Sequence, residues 1–444
     1  MKTNNLNADS KIFDVSAIFF KEEFLHYLWK FKLFTVQKVR TIYNQEITLV
    51  SGGEHNHNEG PDFLNAQLNI EKQLWAGNVE IHLKSSDWYV HKHEADPNYD
   101  AVILHVVWEY DIPVFFKDGT ELPTLQLKDF VDPSILKSYY DLFHGNEKWI
   151  LCEDTIGETT SFVMKLWLNR LYFERLEIKS KQIFKMLEDS ANDWEAVLFQ
   201  LLCKSFGMKL NGDAFLNLAA SFDFSVLRKN QHKKGTLENL LLGQAGFLEE
   251  GNEDVYYTKM QKEFQFLKNK FQLVPLHKQQ FSFFRLRPPN FPTLRISQLA
   301  ILYERHANLF SKVIENSDID SFYELLSVET SVYWQTHYVF GKETKKRVKK
   351  TSNSFIDVLL LNAILPLKYA YMRHHNTIDF ESLEKMLLEI KSEKNSIIDN
   401  FKRNGVKSSS AFDSQALLQL KQFYCDQKKC LQCGIGLQLL KSNS

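Results

Sequence analysis

The chain has 444 residues, of which 44% are hydrophobic and 25% charged, a composition that excludes a disordered or fibrous protein and indicates a globular one. Its 54 Lys and Arg nearly balance its 55 Asp and Glu, so the total charge indicates neither nucleic acid nor an anionic membrane as a partner. The sequence shows neither a secretory h-region nor an apolar run of about 18 residues, so we expect a cytoplasmic protein with no membrane contact.

A helix followed by a small sheet is predicted for the N-terminal part. In "FKEEFLHYLWKFKLF" the apolar residues recur at helical spacing, with Glu22 and Glu23 near the beginning. The period then changes to two, and Gly, Asn, Asp and Pro turns separate short strands. The predicted strands are "EITLVSGG", "FLNAQLNI", "GNVEIHLK", "AVILHVVWEY", "IPVFF" and "LPTLQL". Residues 1–135 are therefore predicted to form an α/β domain with a metal site.

Helical patterns dominate the rest of the chain, beginning with "TSFVMKLWLNRLYFERLEIKSKQIFKMLED". Residues 159–444 are predicted to form a larger, mainly α-helical domain that ends in a cysteine cluster, and residues 136–158 a linker. Two domains suit this length, because single cores seldom grow past roughly 250 to 300 residues. The predicted fold class is α+β, with a small mixed sheet at the N-terminal end.

The strand "GNVEIHLK" carries the first candidate site. Alternation sends its apolar residues to one face and Glu80, His82 and Lys84 to the other. Upstream, "GPDF" places Asp62 at the head of the preceding strand, so Asp62 faces Glu80 if the two strands form a hairpin. The alternative is that this polar row is simply the solvent-facing side of an antiparallel strand.

Two carboxylates from adjacent strands provide a hard oxygen site for Mg²⁺ or Mn²⁺, and a nearby lysine can orient or deprotonate the attacking water. This arrangement resembles the PD-(D/E)xK nuclease superfamily, with Asp62 in the Pro-Asp position and Glu80 as the second acid. The resemblance implies that Glu23 is a helical acid of the same metal site. The chain departs from the pattern at His82, which stands where the family has lysine, so either His82 or Lys84 would orient the water.

Further histidines offer a different metal site. His55 and His57 lie in "EHNHNEG", and His91 and His93 lie in "DWYVHKHEADP". Imidazoles with flanking acids suit Zn²⁺, Mn²⁺ or Fe²⁺ better than Mg²⁺. A zinc or iron hydrolase that uses these four histidines is therefore a further possibility.

Three cysteines cluster near the C-terminal end. Cys425, Cys430 and Cys433 have the spacing C-x4-C-x2-C and lack an adjacent fourth ligand. A structural Zn²⁺ would need a distant fourth ligand, and an iron-sulfur cluster would likewise need a fourth cysteine. The candidates are His374, His375, Cys152 and Cys203. A redox pair or ordinary thiols are the alternatives.

Two segments of the helical part carry positive charge. "FRLRPPNFPTLR" offers Arg285, Arg287 and Arg295 as a phosphate clamp, although these arginines could equally pair with acids. "KETKKRVKK" is a local basic patch suited to nucleic acid or a solvated linker. We therefore predict a metal-dependent nuclease, and as the alternative a non-catalytic scaffold for nucleic acid or protein with a degenerate nuclease-like domain.

Nearly the full chain also resembles a bacterial family described only as a domain of unknown function. The resemblance rests on "EGPDF", "GNVEIHLKSSDW", "VILHVV", "RPPNFPTLR", "LNAILPL" and the terminal cysteines. It implies no activity, cofactor or partner.

Overall fold

A computed structural model describes residues 20–56, 58–143 and 148–441 of the chain. The chain divides into two compact units. The first unit comprises Met1–Trp167, Arg403–Val406 and Leu420–Ser444, and the second comprises Leu168–Lys402 and Lys407–Gln419. The fold class is α+β, as predicted, because the N-terminal part holds a mixed sheet and the larger remainder is helical.

The first unit is built on a six-stranded sheet with the order β1-β3-β4-β5-β6, in which β2 also pairs with β3. The strands are β1 Ile47–Ser51, β2 Glu54–His55, β3 Phe63–Ile70, β4 Gln73–Lys84, β5 Val102–Glu109 and β6 Thr124–Gln126. The pairs of β3 are antiparallel, whereas β4 and β5 pair in parallel, as do β5 and β6. Strand β4 therefore joins the antiparallel half of the sheet to the parallel half.

The hairpin of β3 and β4 turns at Glu71 and Lys72, which both have positive φ, at 50° and 71°. A two-residue hairpin loop with two positive φ angles matches the right-handed twist of its strands. The resulting register pairs Phe63 with Val79. Asp62 thus comes to lie beside Glu80.

One hydrophobic core of the first unit lies between the sheet and the first helix, Glu22–Phe31. The helix buries Phe24 and Leu28, and the sheet contributes Val79 and Ile81, all with no exposed area. Because alternate residues of a strand point to opposite faces, burial of Val79 and Ile81 in this core sends Glu80 and His82 to the other face.

The helices, in chain order, are α1 Glu22–Phe31, α2 Asp87–Val90, α3 Pro133–Phe143, α4 Ser161–Asp189, α5 Trp194–Phe206, α6 Met208–Ala220, α7 Phe224–Asn230, α8 Thr236–Gln244, α9 Val255–Phe271, α10 Pro292–Arg305, α11 Leu309–Glu315, α12 Ile319–Leu325, α13 Asn353–Leu359, α14 Leu365–His374, α15 Phe380–Glu389, α16 Ser396–Arg403, α17 Ala411–Leu420 and α18 Gly434–Lys441. A π-helical turn at Leu360–Ile364 joins α13 to α14. In the described residues, the continuous segment Asn353–His374 is the one helix long and apolar enough to cross a membrane, and 72% of its apolar window is buried within the protein. Such burial is typical of a core helix.

Candidate metal centre

Two residues of the polar row on β4, Glu80 and His82, are buried, whereas Lys84 at the end of the strand is exposed. Glu80 is 5% exposed and His82 is 1% exposed. A carboxyl group and an imidazole are costly to bury unless they find partners. This face of β4 is therefore not the solvent-facing side of an antiparallel strand.

The neighbouring parallel strand supplies a partner for His82. The register of β4 and β5 places Glu80 opposite His105, so the side chains of Glu80, His82 and His105 share one face of the sheet. The Nδ1 atom of His82 lies 2.8 Å from Nε2 of the fully buried His105. If His82 carries its proton on Nδ1 and donates to His105, then Nε2 of His82 keeps a free lone pair, as a metal ligand requires.

The segment that follows β4 brings His91 and His93 close to His82. Asp111 fixes the first residues of this segment, because its Oδ1 atom accepts hydrogen bonds from the Ser85 hydroxyl at 2.8 Å and the Ser86 N–H at 2.9 Å. Helix α2 follows, and Lys92 then adopts a left-handed conformation with φ 63°. This single left-handed residue separates His91 from His93, and both imidazoles approach His82.

The three imidazoles form a group that could hold a metal ion. One ring nitrogen from each of His82, His91 and His93 lies within 4.8 Å of the other two. Nε2 of His82 lies 3.1 Å from Nδ1 of His91. Oε1 of Glu80 lies 3.5 Å from Nε2 of His82 and 3.3 Å from Nε2 of His93.

These separations are those of ligands around one ion. Ligands about 2.1 Å from a tetrahedral ion stand about 3.4 Å apart. The buried Nε2 atom of His93 makes no hydrogen bond to any described residue, although it faces Glu80 Oε1. A buried imidazole nitrogen without a hydrogen bond is available to coordinate a cation. We use "metal centre" below for this candidate site, which comprises His82, His91 and His93 together with the adjacent Glu80.

Burial sets the protonation of this metal centre. Burial, and secondarily the neighbouring imidazole of His105, lowers the pKa of His82 to about 2. Burial also lowers the pKa of His93. Burial, together with the charge of Asp62, raises the pKa of Glu80 to about 9. Near neutral pH the two histidines are therefore unprotonated and ready to bind a cation, while Glu80 still holds a proton.

An acidic group adjoins the metal centre through Glu80. The Asp62 N–H donates to Oε2 of Glu80 at 3.1 Å, and the Ile81 N–H donates to Oδ2 of Asp62 at 2.9 Å. The same Oδ2 lies 3.3 Å from Nε2 of His26 on α1. Burial lowers the pKa of His26, but the hydrogen bond and charge of Asp62 outweigh it and give a net increase. Burial, followed by the charge of Asp62, raises the pKa of Glu22 to about 7.

The residues predicted for a nuclease site are only partly brought together. Asp62 and Glu80 are adjacent, as the hairpin requires. Glu23 is exposed, and its neighbour Glu22 is the acid of α1 that interacts with Asp62. Lys84 is exposed at the end of β4, where its N–H donates to Asp87 Oδ2 at 2.9 Å.

His55, another predicted histidine, is not part of the imidazole triad. The ring of His55 stacks on Phe63 at a centroid distance of 4.9 Å and lies 5.5 Å from the ring of His26. His57 lies outside the described residues. Of the four histidines first considered for a zinc or iron site, the triad contains His91 and His93.

The predicted phosphate clamp belongs to the second unit. Arg285 and Arg287 are exposed, whereas Arg295 is only 6% exposed. Arg295 donates to Oδ1 of Asn290 at 2.7 Å and to Oε1 of Gln298 at 2.9 Å. In the basic segment, five cationic side chains are exposed: Lys342, Lys345, Lys346, Arg347 and Lys350.

Lys349 is the exception within the basic segment. It is 6% exposed, and its Nζ donates to the carbonyl of His337 at 2.7 Å. Its backbone carbonyl accepts a hydrogen bond from the Gln298 amide at 3.2 Å. The basic segment is therefore fixed to the second unit through Lys349.

The sequence pattern placed His82 at the position of the nuclease lysine and grouped His91 and His93 with His55 and His57, whereas the structure brings His91 and His93 together with His82. The spacing that contains the three is Glu-x-His-x8-His-x-His from Glu80 to His93. Alternation along β4 does not predict this grouping, because it depends on the turn and the short helix α2 that follow Lys84 and bring the chain back to the strand.

Comparisons with curated proteins and with solved structures found no match for the chain. A family profile, in contrast, matches residues 22–396, which include the metal centre. On that match the chain belongs to the family described as "Protein of unknown function (DUF2851)".

Proposed function

We propose that the first unit is a metal-dependent hydrolase that cleaves phosphodiester bonds in nucleic acid and acts in the cytoplasm. The observation that carries this proposal is the position of Glu80. Its Oε1 atom faces His82 and His93, and its Oε2 atom accepts a hydrogen bond from Asp62. One carboxylate thereby connects an imidazole-rich metal centre with an acidic group open to solvent.

The ligand chemistry favours a transition metal over Mg²⁺. Imidazole is a good ligand for Zn²⁺ and Fe²⁺, and carboxylates suit Mn²⁺, whereas Mg²⁺ prefers oxygen ligands and retains its waters. We propose Mn²⁺, which accepts both ligand types. Because Mn²⁺ commonly takes an octahedral ligand set, four protein ligands leave two positions for water and a phosphate oxygen.

The acidic residues beside the metal centre would allow an anionic substrate to bind only if the metal ion is also bound. A bound divalent ion lowers the pKa of a water molecule and neutralises charge on a phosphoryl oxygen. Glu22 and Asp62 would repel a phosphate in the absence of that ion. The raised pKa of His26 makes it a proton donor for the leaving oxygen, and its side chain is 16% exposed.

The choice of phosphodiesters rests on the resemblance to the nuclease superfamily. Asp62 and Glu80 occupy the two strand positions of that pattern, and Glu22 supplies a helical acid next to Asp62. His82 replaces the lysine of the pattern and in this proposal serves as a metal ligand. A histidine in this position requires the ion, rather than an ammonium group, to activate the water.

The first experiment measures Mn²⁺ binding in a variant that lacks the exposed proposed ligand His91. His91→Ala should lower the Mn²⁺ affinity at least 100-fold in titration calorimetry, because one of four ligands is lost. His277→Ala, which removes an exposed histidine of the second unit, is the matched control and should bind Mn²⁺ like the wild type. Equal Mn²⁺ affinity in His91→Ala and the wild type would refute the metal centre.

Activity is tested with bis(p-nitrophenyl) phosphate and with labelled single-stranded and double-stranded oligonucleotides. Neighbouring acids on α1 provide the matched pair. Glu22→Gln should slow Mn²⁺-dependent cleavage at least 10-fold, whereas Glu23→Gln should leave it unchanged. Absence of cleavage by the Mn²⁺-loaded wild type with every substrate would refute the hydrolase.

A scaffold that binds nucleic acid is the second candidate. It is favoured by the replacement of the catalytic lysine by His82 and by the exposed basic segment of the second unit. A scaffold should bind oligonucleotides without cleaving them, and its affinity should fall with salt because bound phosphates release counterions. Replacement of Lys345 and Lys346 by Ala should weaken that binding.

A further inference from the structure

Four of the five cysteines of the chain line one small cavity in the first unit. Cys152 comes from the segment after α3, and Cys425, Cys430 and Cys433 come from the C-terminal segment. The rest of the wall is largely apolar and consists of Leu142, Ile156, Leu420, Tyr424, Ile435 and Gly436. The fifth cysteine, Cys203, lies in the second unit.

All four cysteine side chains contribute to the wall of this one cavity. All four are free cysteines without disulfide bonds. Four thiols that meet in an apolar cavity form the ligand set of a thiophilic metal centre.

Cys433 directly precedes α18, so the N–H groups of Ile435 and Gly436 in the first turn of that helix lie beside its sulfur. N–H groups beside a sulfur support thiolate ligands of metal centres.

Gly436 allows this close wrapping of the chain. A Cβ atom at that position would lie 2.2 Å from the carbonyl oxygen of Cys430, which is an impossible contact. Glycine at residue 436 is therefore needed for the approach of α18 to the cysteine segment.

The spacing of the sulfur atoms distinguishes between metal centres. Around a single Zn²⁺, with Zn–S bonds of about 2.3 Å, the sulfurs stand about 3.8 Å apart. Throughout residues 20–56, 58–143 and 148–441, the histidine triad is the one group of three or more metal-binding side chains whose ligand atoms all lie within 4.8 Å of one another. No three of the cysteine sulfurs therefore lie within 4.8 Å of one another. Wider spacing suits an iron-sulfur cluster, in which each cysteine binds a different iron, better than it suits a single Zn²⁺.

We propose that Cys152, Cys425, Cys430 and Cys433 bind a four-iron four-sulfur cluster. The cluster joins the segment after α3 to the C-terminal segment. It is separate from the metal centre of the histidines, so this proposal stands whether or not the first unit is a hydrolase.

The test begins with wild-type protein purified without oxygen and analysed for iron, acid-labile sulfide and zinc. We expect about four iron and four sulfide per chain and the broad visible absorption of an iron-sulfur cluster. Stoichiometric zinc without iron, or the absence of both metals after reconstitution with iron and sulfide, would overturn the proposal. This measurement uses no variant and so does not depend on whether a variant folds.

Single substitutions then assign the ligands. Cys152→Ser and Cys433→Ser should each lose more than half of the iron and the visible absorption, whereas Cys203→Ser should keep both. His91→Ala should also keep the iron, because its side chain belongs to the histidine centre. A full iron content in Cys152→Ser would remove this residue from the ligand set and overturn the four-cysteine assignment.

Discussion

In the proposed metal centre, the Glu80 carboxyl group would link proton binding to metal binding. Because burial and Asp62 raise its pKa to about 9, Glu80 holds a proton at pH 7 that a bound metal ion would displace. Burial keeps His82 unprotonated, so this ligand has no proton to release. At neutral pH the proton on Glu80 is therefore the main competitor of the ion.

We predict that about one proton is released per Mn²⁺ bound at pH 7. The affinity should rise about tenfold from pH 7 to pH 8, because the ion competes with one proton whose concentration falls tenfold. Titration calorimetry in two buffers with different ionisation enthalpies measures the release. Glu80→Gln should bind Mn²⁺ more weakly and release no proton, and an equal release in both proteins would exclude Glu80 as a ligand.

At the scale of single residues, the sequence predicted the pair of Asp62 and Glu80 because a hairpin brings its two strands into a fixed register. The partners of His82 could not be predicted in the same way. They depend on the left-handed conformation of Lys92 and on the hydrogen bonds of Asp111, and alternation along a strand carries no information about either.

At the scale of elements, the segment that carries His91 and His93 depends on Asp111. Its carboxylate accepts hydrogen bonds from Ser85 and from both the N–H and the hydroxyl of Ser86. Burial tends to raise the pKa of Asp111, but these hydrogen bonds outweigh it and hold the pKa below its usual value. The carboxylate is therefore charged at neutral pH and fixes the turn that follows β4.

We predict that Asp111→Ala lowers the Mn²⁺ affinity about 10-fold, because the turn at Ser85 and Ser86 that positions His91 and His93 loses its anchor. The free energy of unfolding should fall by about 1 to 2 kcal/mol, measured by urea denaturation, because hydrogen bonds to a charged group are lost. Asp118→Ala is the control, because Asp118 accepts from Thr120 in another turn of the same segment. Equal losses of Mn²⁺ affinity in both variants would show that Asp111 has no special role.

Strands β1, β3, β4, β5 and β6 were predictable from their period of two, and the first helix from its apolar spacing. The predicted strand "IPVFF" forms only an isolated bridge between Phe115 and Glu121, and the short strand β2 was not predicted. The run "AVILHVVW" is typical of a strand covered on both faces, and β5 is such a strand, with parallel neighbours on both sides. The pairing of β5 with β4 was not predictable, because hydrophobic alternation identifies strands without naming their partners.

At the scale of the whole molecule, the metal centre and the four cysteines all belong to the first unit. Binding of Mn²⁺ should therefore slow hydrogen exchange in β4 and at residues 91–96. With free Mn²⁺ at 100 times its dissociation constant, amides that exchange by opening of the metal centre should slow about 100-fold.

Amides of α10, Pro292–Arg305 in the second unit, serve as the internal comparison in the same exchange experiment. Their exchange should change less than twofold, because no ligand of the metal centre lies in α10. Uniform slowing in β4 and α10 would show that the ion acts on both units, and would contradict a centre confined to the first.

The fold class was predictable because the strand and helix periodicities extend over hundreds of residues. The family was predictable from motifs such as "EGPDF" and "GNVEIHLKSSDW", and its profile matches residues 22–396. The position of the last segment was not. Nothing in the spacing of Cys425, Cys430 and Cys433 indicates that they meet Cys152, because that contact is formed between residues more than 270 positions apart.

The discontinuous first unit has a consequence for synthesis on the ribosome. About 250 residues separate Trp167 from Leu420, so translation between the two takes on the order of tens of seconds. During that interval the nascent sheet lacks Cys430 and Leu440, which belong to its hydrophobic core. The N-terminal part of the chain therefore emerges first but completes its folding last, and in the meantime it exposes apolar surface that chaperones can bind.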